Sequence, residues 1–393
     1  MTINTTHFEA SDRIKKLPPY LFAEVDRLKR ELIQKGHDVI DLGVGDPDLP
    51  TPDFVIEALY RGAKDPANHR YALDQGMPEF RKAIADWYEN RFSVKLDSET
   101  EILPLIGSKE GIAHFPLAVL NPGDVALVPD PCYPPYKSGT WFAGGEVALM
   151  PLLEENAFLP DFKQMDDATL ERARLLFLNY PNNPTGACAN IDFFKRVVWL
   201  SEKHGWMVCH DAAYTEVAFD GYQPPSFLET PGAKSVGIEF HSLSKTLNMT
   251  GWRVGFACGN RELVGHLGKL KSNVDSGIFK AIQVAAVAAL QNGQEENKRL
   301  NAIYEQRRDL VVSGLQSIGW KAKPQKATFY MWIPVPPGYT SRELCLKLLK
   351  ESHVVVVPGN GFGQNGEGYF RISLTISEKR LEEAIARIKK LHQ

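Results

Sequence analysis

Cysteine is scarce in this sequence and never closely paired: Cys132, Cys188, Cys209, Cys258 and Cys345 lie scattered along 393 positions with no C-x-x-C among them. An odd, dispersed set argues against a disulfide framework and against zinc-ligand spacing, so no metal is expected and a reduced, cytoplasmic setting fits best. Long apolar runs are missing as well. The helix-like run from Ala281 to Leu290 is too short to span a bilayer, and the start, Met1 to His7, is polar with no apolar signal core. Neither sign of charge is in excess. With 45 Lys and Arg against 48 Asp and Glu, a net charge of −3 leaves no global electrostatic case for nucleic acid or an anionic membrane as partner. Internal repeats and low-complexity tracts are not apparent. A chain of this length with 44% hydrophobic residues exceeds what one core normally holds, which predicts a large domain, a smaller one and a cleft between them.

What is present centres on His241-Ser-Leu-Ser-Lys245-Thr-Leu-Asn-Met-Thr-Gly251-Trp-Arg253-Val-Gly255. The apolar run Val236 to Phe240 reads as a short buried strand delivering Ser242, Ser244 and Lys245 at its end, and Arg253 to Gly259 as a second strand returning from a Gly-containing loop. A lysine amine condenses with an aldehyde, while hydroxyls and a guanidinium suit a phosphate dianion, so the implied ligand carries both groups. Pyridoxal phosphate is that ligand. A Ser-Lys pair alone also occurs at any helix start, and Asp211 is what separates the two cases. Trp206-Met-Val-Cys-His-Asp211 reads as a buried strand ending in the carboxylate that a pyridoxal ring nitrogen needs opposite it, and Tyr214 follows where it can reach the ring hydroxyl.

In its order of Asp-x-x-Tyr, Ser-x-Ser-Lys and Gly-x-Arg-x-Gly the sequence resembles the fold-type I aminotransferases of class I/II, over nearly the whole chain. That resemblance implies an α/β fold with a mainly parallel central sheet flanked by helices, plus a smaller α+β domain. The expected large cofactor-binding domain spans 46–290, and 1–45 with 291–393 forms the small domain and N-terminal arm. Between Val125 and Lys203 the sequence itself alternates strand and helix patterns, which argues independently for such a sheet.

Several loops acquire roles on this footing. Ile102 to Ile106 leads through a tight turn at Gly107 into a helix, whose first N–H groups with the Ser108 hydroxyl form an anion site; Lys109 follows. Asp130-Pro-Cys-Tyr133-Pro-Pro-Tyr136 follows a strand's carboxyl end, and Tyr133 there suits either a ring stacked on the pyridine or a core aromatic. The family uses the asparagine of Asn-Pro-Thr-Gly, here Asn183, to hydrogen-bond the ring oxygen. It also places a substrate-contacting glycine at Gly45, which from the residues alone is equally a turn glycine. Tyr71, before the amphipathic helix Pro78 to Phe92, resembles the tyrosine that touches the cofactor phosphate of a neighbouring subunit, which implies a homodimer. Arg371, between apolar neighbours on a strand, is either half of a structural ion pair or, as the resemblance implies, the fork that binds the substrate α-carboxylate. Gly361-Phe-Gly363-Gln-Asn-Gly366 matches G-x-G-x-x-G literally, but it leads into a strand and not a helix, so a mobile loop is expected and not a dinucleotide site.

The Leu17-Pro-Pro-Tyr20 arm is most similar to the LL-diaminopimelate aminotransferase branch of the family, which implies a role for Tyr20 near the substrate and 2-oxoglutarate as acceptor. Alanine aminotransferases share much of the arm. Diaminopimelate carries a second ammonium and carboxylate at its far end, and Asp74 and Lys109 are the candidates to meet them; both are equally readable as solvated surface charges. A pyridoxal C–S lyase or decarboxylase and a non-catalytic effector module are the competing readings. Arg371 argues against loss of the carboxylate, and no extra DNA-binding segment is evident.

Overall fold

The computed structural model describes residues 8–17, 23–72 and 75–391. A seven-stranded sheet is built from β2 (Ile102–Leu105), β3 (Val125–Asp130), β4 (Glu146–Pro151), β5 (Ala173–Asn179), β6 (Met207–Asp211), β7 (Gly237–Ser242) and β8 (Gly255–Gly259), in the order β2-β8-β7-β6-β5-β3-β4. Its central strands read as near-continuous apolar runs because both faces are covered. Val125, Leu127, Leu176, Leu178 and Val208 point into one core with Phe80, Phe194 and Ala285. Ala126, Val128, Leu175, Phe177 and Cys209, one residue out of step, point into another with Ile112, Phe115 and Leu267. The alternation of period two therefore divides each strand between two helical layers.

β8 runs antiparallel to both β2 and β7, pairing Gly255 with Ser242 and with Leu105. That reversal matters for function. It returns the start of β8, and Arg253 just before it, to the edge of the sheet where the other strands finish. The sequence expects β8 to begin at Arg253, but that residue has φ 54° and lies outside the strand.

A second core joins Ile40, Tyr304, Phe329, Ile333, Phe370 and Ile385, and takes in Ala213, Tyr214, Val217 and Phe219 from the middle of the chain. Here β1 (Ile40–Asp41) pairs in parallel with β10 (Val354–Val355), while β9 (Tyr330–Pro334), β11 (Val357–Pro358) and β12 (Tyr369–Ser373) form a three-stranded antiparallel sheet. The apolar run Val354 to Pro358 thus forms two short strands serving two sheets. The Gly-rich stretch after it is not an open loop: it forms two 3-10 turns, Gly359–Gly361 and Gln364–Gly366. All five cysteines are free. Among the described residues no helix is long and apolar enough to cross a membrane, and no cluster of three or more His, Cys, Asp or Glu could hold a metal ion.

Candidate active site

Strand ends converge on one cleft. β7 finishes at Ser242 and runs into a single helical turn, Leu243–Thr246, so Ser242 and Ser244 are buried and Lys245 projects across the sheet edge. The Lys245 Nζ donates to the carbonyl oxygen of Gly45 at 2.9 Å. Burial holds this amine's pKa below the ordinary lysine value, with Tyr330 and Asp46 pulling the other way. Gly45 is constrained by space as well: a Cβ there would lie 1.7 Å from the Tyr330 hydroxyl oxygen.

The neighbouring strand, β6, ends in Asp211, which is buried. Its Oδ2 accepts from the Tyr136 hydroxyl at 2.7 Å and its Oδ1 from the Ala213 N–H at 3.2 Å. Burial pushes the Asp211 pKa up despite those donors. Neither bonded donor is cationic. A cationic N–H donor against this carboxylate would reverse the shift, which is the demand a protonated ring nitrogen fits. Tyr214, three residues on, is buried, and its hydroxyl donates to that of Tyr330 at 3.4 Å.

The reversed β8 brings Arg253 beside Gly107 and the start of the Ser108–Val119 helix. A Cβ on Gly107 would lie 2.1 Å from Arg253 Nη2, so only glycine admits the guanidinium there. Arg253 Nη1 donates to the Thr250 carbonyl at 2.8 Å and to Ser244 Oγ at 3.4 Å. Holding a non-glycine residue in the left-handed region costs on the order of 1–3 kcal/mol, a cost met where surrounding contacts over-determine the position. Ser108 is buried at the helix start and Lys109 is exposed beside it. The donor set of Ser108, Ser242, Ser244, Arg253 and free helix N–H groups suits a phosphate dianion.

Arg371, on β12, closes the other side of the cleft. It is buried, with Nη1 donating to Asn183 Oδ1 at 2.8 Å and Nη2 to the Gly43 carbonyl at 2.9 Å. Neither partner is a carboxylate, so among the described residues it is not half of an ion pair, and its Nε is buried there without a hydrogen-bond partner. Its guanidinium carbon lies 4.0 Å from the Tyr330 ring centroid and 4.6 Å from that of Phe362. A desolvated guanidinium bonded only to neutral oxygens has strong reason to attract an incoming carboxylate.

The structure thus gathers Lys245, Asp211, Tyr214, Asn183, Arg253, Arg371, Gly45, Ser108, Ser242 and Ser244 around one cleft. Tyr133 is half-buried at its wall, with its ring centroid 5.8 Å from that of Tyr136. Tyr71 is 83% exposed, away from these contacts among the described residues. Tyr20 and Asp74 lie outside the described residues. Sequence reasoning missed Tyr330, which touches the Gly45, Tyr214 and Arg371 positions at once, and Tyr136 as the donor to Asp211. Tyr136 could have been suspected from its place after a strand's carboxyl end; Tyr330, in an apolar strand pattern, carries no such signal.

Comparison with known proteins agrees with this geometry. The profile of the aminotransferase class I and II family matches residues 37–388. An LL-diaminopimelate aminotransferase of Maridesulfovibrio salexigens is 56% identical over 385 residues, covering 98% of this chain and 99% of that one. Another, of Syntrophobacter fumaroxidans, is 54% identical over 384 residues with 98% and 99% covered. Among solved structures, substrate-bound BacF from Bacillus subtilis superposes with a TM-score of 0.94 at 42% identity, covering 98% of each chain. A probable N-succinyldiaminopimelate aminotransferase from Thermus thermophilus gives 0.89 at 36% identity, covering 94% of this chain and 99% of that one. With the family profile spanning almost the whole chain and the strand-end lysine, aspartate and arginines in place, this protein belongs to the class I and II aminotransferases.

Proposed function

We propose that the protein transfers the amino group of LL-2,6-diaminopimelate to 2-oxoglutarate with pyridoxal 5'-phosphate as cofactor. The single observation that carries the chemistry is the placement of Lys245, half-buried within one helical turn of the end of β7, which pairs with the strand ending in Asp211, and next to Ser244, which accepts from Arg253. When bound, the cofactor supplies an electron sink for the carbanion left by deprotonating the substrate α-carbon. Lys245 would tether it, and the lysine amine would carry the proton away from the substrate α-carbon and back. Burial shifts Lys245 toward the neutral amine, the form that both tasks require.

Asp211 would hold the ring-nitrogen proton, with Tyr136 orienting its carboxylate. Tyr214 and Asn183 would hold the ring oxygen, and Tyr133 would cover the ring. Ser108, Lys109, Ser242, Ser244 and Arg253 would hold the phosphate, joined by Tyr71 from a second subunit; an exposed aromatic at that position suits such a homodimer. Arg371, bonded to Asn183 and Gly43, orients the amino acid through its α-carboxylate, with Gly45 beside the substrate. The same reading assigns 46–290 to a cofactor-binding domain and 1–45 with 291–393 to the small domain. It also assigns the protein to the cytoplasm, where its five free thiols stay reduced.

Diaminopimelate as donor is supported by the names of the relatives at 54% and 56% identity. Its distal ammonium and carboxylate need opposite charges, for which Asp74 of a neighbouring subunit and Lys109 serve, with Tyr20 close by. The test is a donor panel at fixed 2-oxoglutarate. LL-diaminopimelate should give the highest kcat/KM, and Asp74→Ala should cut that value by about 2–4 kcal/mol in transition-state terms while sparing glutamate and alanine. A preference for alanine in the unmodified protein would assign the chain to an alanine-using branch instead.

A further inference from the structure

The Gly-rich stretch has no role in the reading above, yet it is tied down by a carboxylate that has none either. Asp130 ends β3 and is wholly buried. Its Oδ2 accepts from both the backbone N–H of Asn365 at 3.0 Å and the Asn365 Nδ2 at 2.7 Å. Its Oδ1 meets Lys137 Nζ at 3.0 Å. Gly363, at φ +149°, passes so close that a Cβ would lie 1.6 Å from the same Oδ1. The backbone is sewn beside it too, the Cys132 N–H donating to the Phe362 carbonyl at 3.0 Å. These contacts join the large sheet to the three-stranded sheet across the cleft. Between them sits Phe362, whose ring covers the Arg371 guanidinium.

Building on the assignment of Arg371 to the substrate α-carboxylate, we propose that Asp130 is a positioning residue for carboxylate recognition, clamping the 359–366 turn so that Phe362 keeps the Arg371 guanidinium covered and dry. A covered guanidinium gains more from a carboxylate than a wet one, because water neither screens the pair nor competes for its N–H groups. Burying a carboxylate at Asp130 is costly, and its donors among the described residues are two side chains and one backbone N–H. The clamp therefore fixes the turn in one place. Both substrates of a transamination carry an α-carboxylate, so the effect falls on donor and acceptor alike.

The experiment compares Asp130→Ala, Asp130→Asn, Gly363→Ala and Arg371→Lys in the cofactor-loaded protein. The readouts are KM and kcat for amino donor and 2-oxo acid separately, and the dissociation constant of glutarate, a carboxylate probe without an amino group. Asp130→Ala and Gly363→Ala should each raise both KM values and the glutarate constant about tenfold, with kcat changed no more than about threefold. Asp130→Asn, which retains an acceptor for Asn365, should recover part of the loss. If Asp130→Ala fails to fold, Gly363→Ala carries the test, since it displaces the turn while leaving the carboxylate in place. A lower thermal midpoint with unchanged KM and unchanged glutarate binding in the folded variants would overturn the proposal and leave Asp130 structural. Failure of the underlying assignment looks different: Arg371→Lys itself would then bind glutarate as tightly as the unmodified protein.

Discussion

The two walls of the cleft are made in different ways. On the Lys245 side every group stands at or next to the end of a strand in the large sheet. Asp211 and Ser242 terminate β6 and β7, which pair in parallel, and Lys245 follows within one helical turn. Each side chain is placed by its own few neighbours in sequence. On the Arg371 side, the guanidinium is held by Asn183 and Gly43, 188 and 328 residues away along the chain, and is covered by rings from β9 and the Gly-rich turn. One wall is local and set by the sheet; the other is assembled from distant segments. Loss of a group from the first should abolish chemistry, whereas changes in the second should alter how well substrate carboxylates are held.

The largest expected effect follows from Lys245→Ala, which removes tether and proton carrier together. The folded variant should bind the cofactor without a covalent bond and turn over slower by ~10⁴-fold or more, as measured in single-turnover reactions. Near-normal turnover would remove the distinction between the walls. Asp211→Asn should come next. It should slow α-proton abstraction, read from the isotope effect on an α-deuterated donor, far more than it weakens cofactor binding. Restoration of the rate by saturating cofactor would show that the carboxylate merely helps retention. Arg371→Lys tests the second wall: losing the planar fork should cost about 2–5 kcal/mol in kcat/KM for both amino and 2-oxo acids.

How much of this was legible beforehand follows the same division. The places of Lys245 and Asp211 in the fold were readable because a strand pattern ending in a polar residue implies where that residue projects; Tyr214 and Arg253 were marked by short motif spacing, although Arg253 lies outside the strand expected to begin with it. The mainly parallel sheet followed from alternating strand and helix patterns, whereas the direction of its one reversed strand was set by pairing with β7 and β2. Tyr330 was not readable. Its role depends on Gly45 and Arg371 lying within reach of one hydroxyl and one ring, which no period in the sequence encodes. The Gly-rich turn was misjudged for the same reason: glycine there signals conformational freedom locally, whereas the fixed turn results from close approach to Asp130, 233 positions before Gly363.

Smaller effects sharpen the contrast through pH. Burial depresses the Lys245 pKa below its ordinary value of 10.5, so the neutral, nucleophilic fraction is larger at a given pH than for a free lysine. The rate of pyridoxal phosphate attachment to cofactor-free protein should therefore rise with pH and level off below the range of ordinary lysines. A profile still climbing through that range would contradict it. Far from the cleft, Arg380 and Arg387 hold the exposed Asp38 carboxyl down at about 2, against an ordinary 3.8. A depressed carboxyl stabilises the fold above its unfolded value and loses that contribution as pH falls toward the folded one. Asp38→Asn should thus slightly lower the thermal midpoint at neutral pH, with the difference vanishing toward pH 2, and leave kcat/KM unchanged.

The central claim, that the chemistry is organised on Lys245, is tested most directly by reductive trapping. The protein is loaded with pyridoxal phosphate, reduced with borohydride, digested and mapped by mass spectrometry. The account predicts one stoichiometric phosphopyridoxyl modification, on Lys245, that is lost when saturating LL-diaminopimelate is added before reduction. Modification of another lysine such as Lys109, or of none, would contradict it.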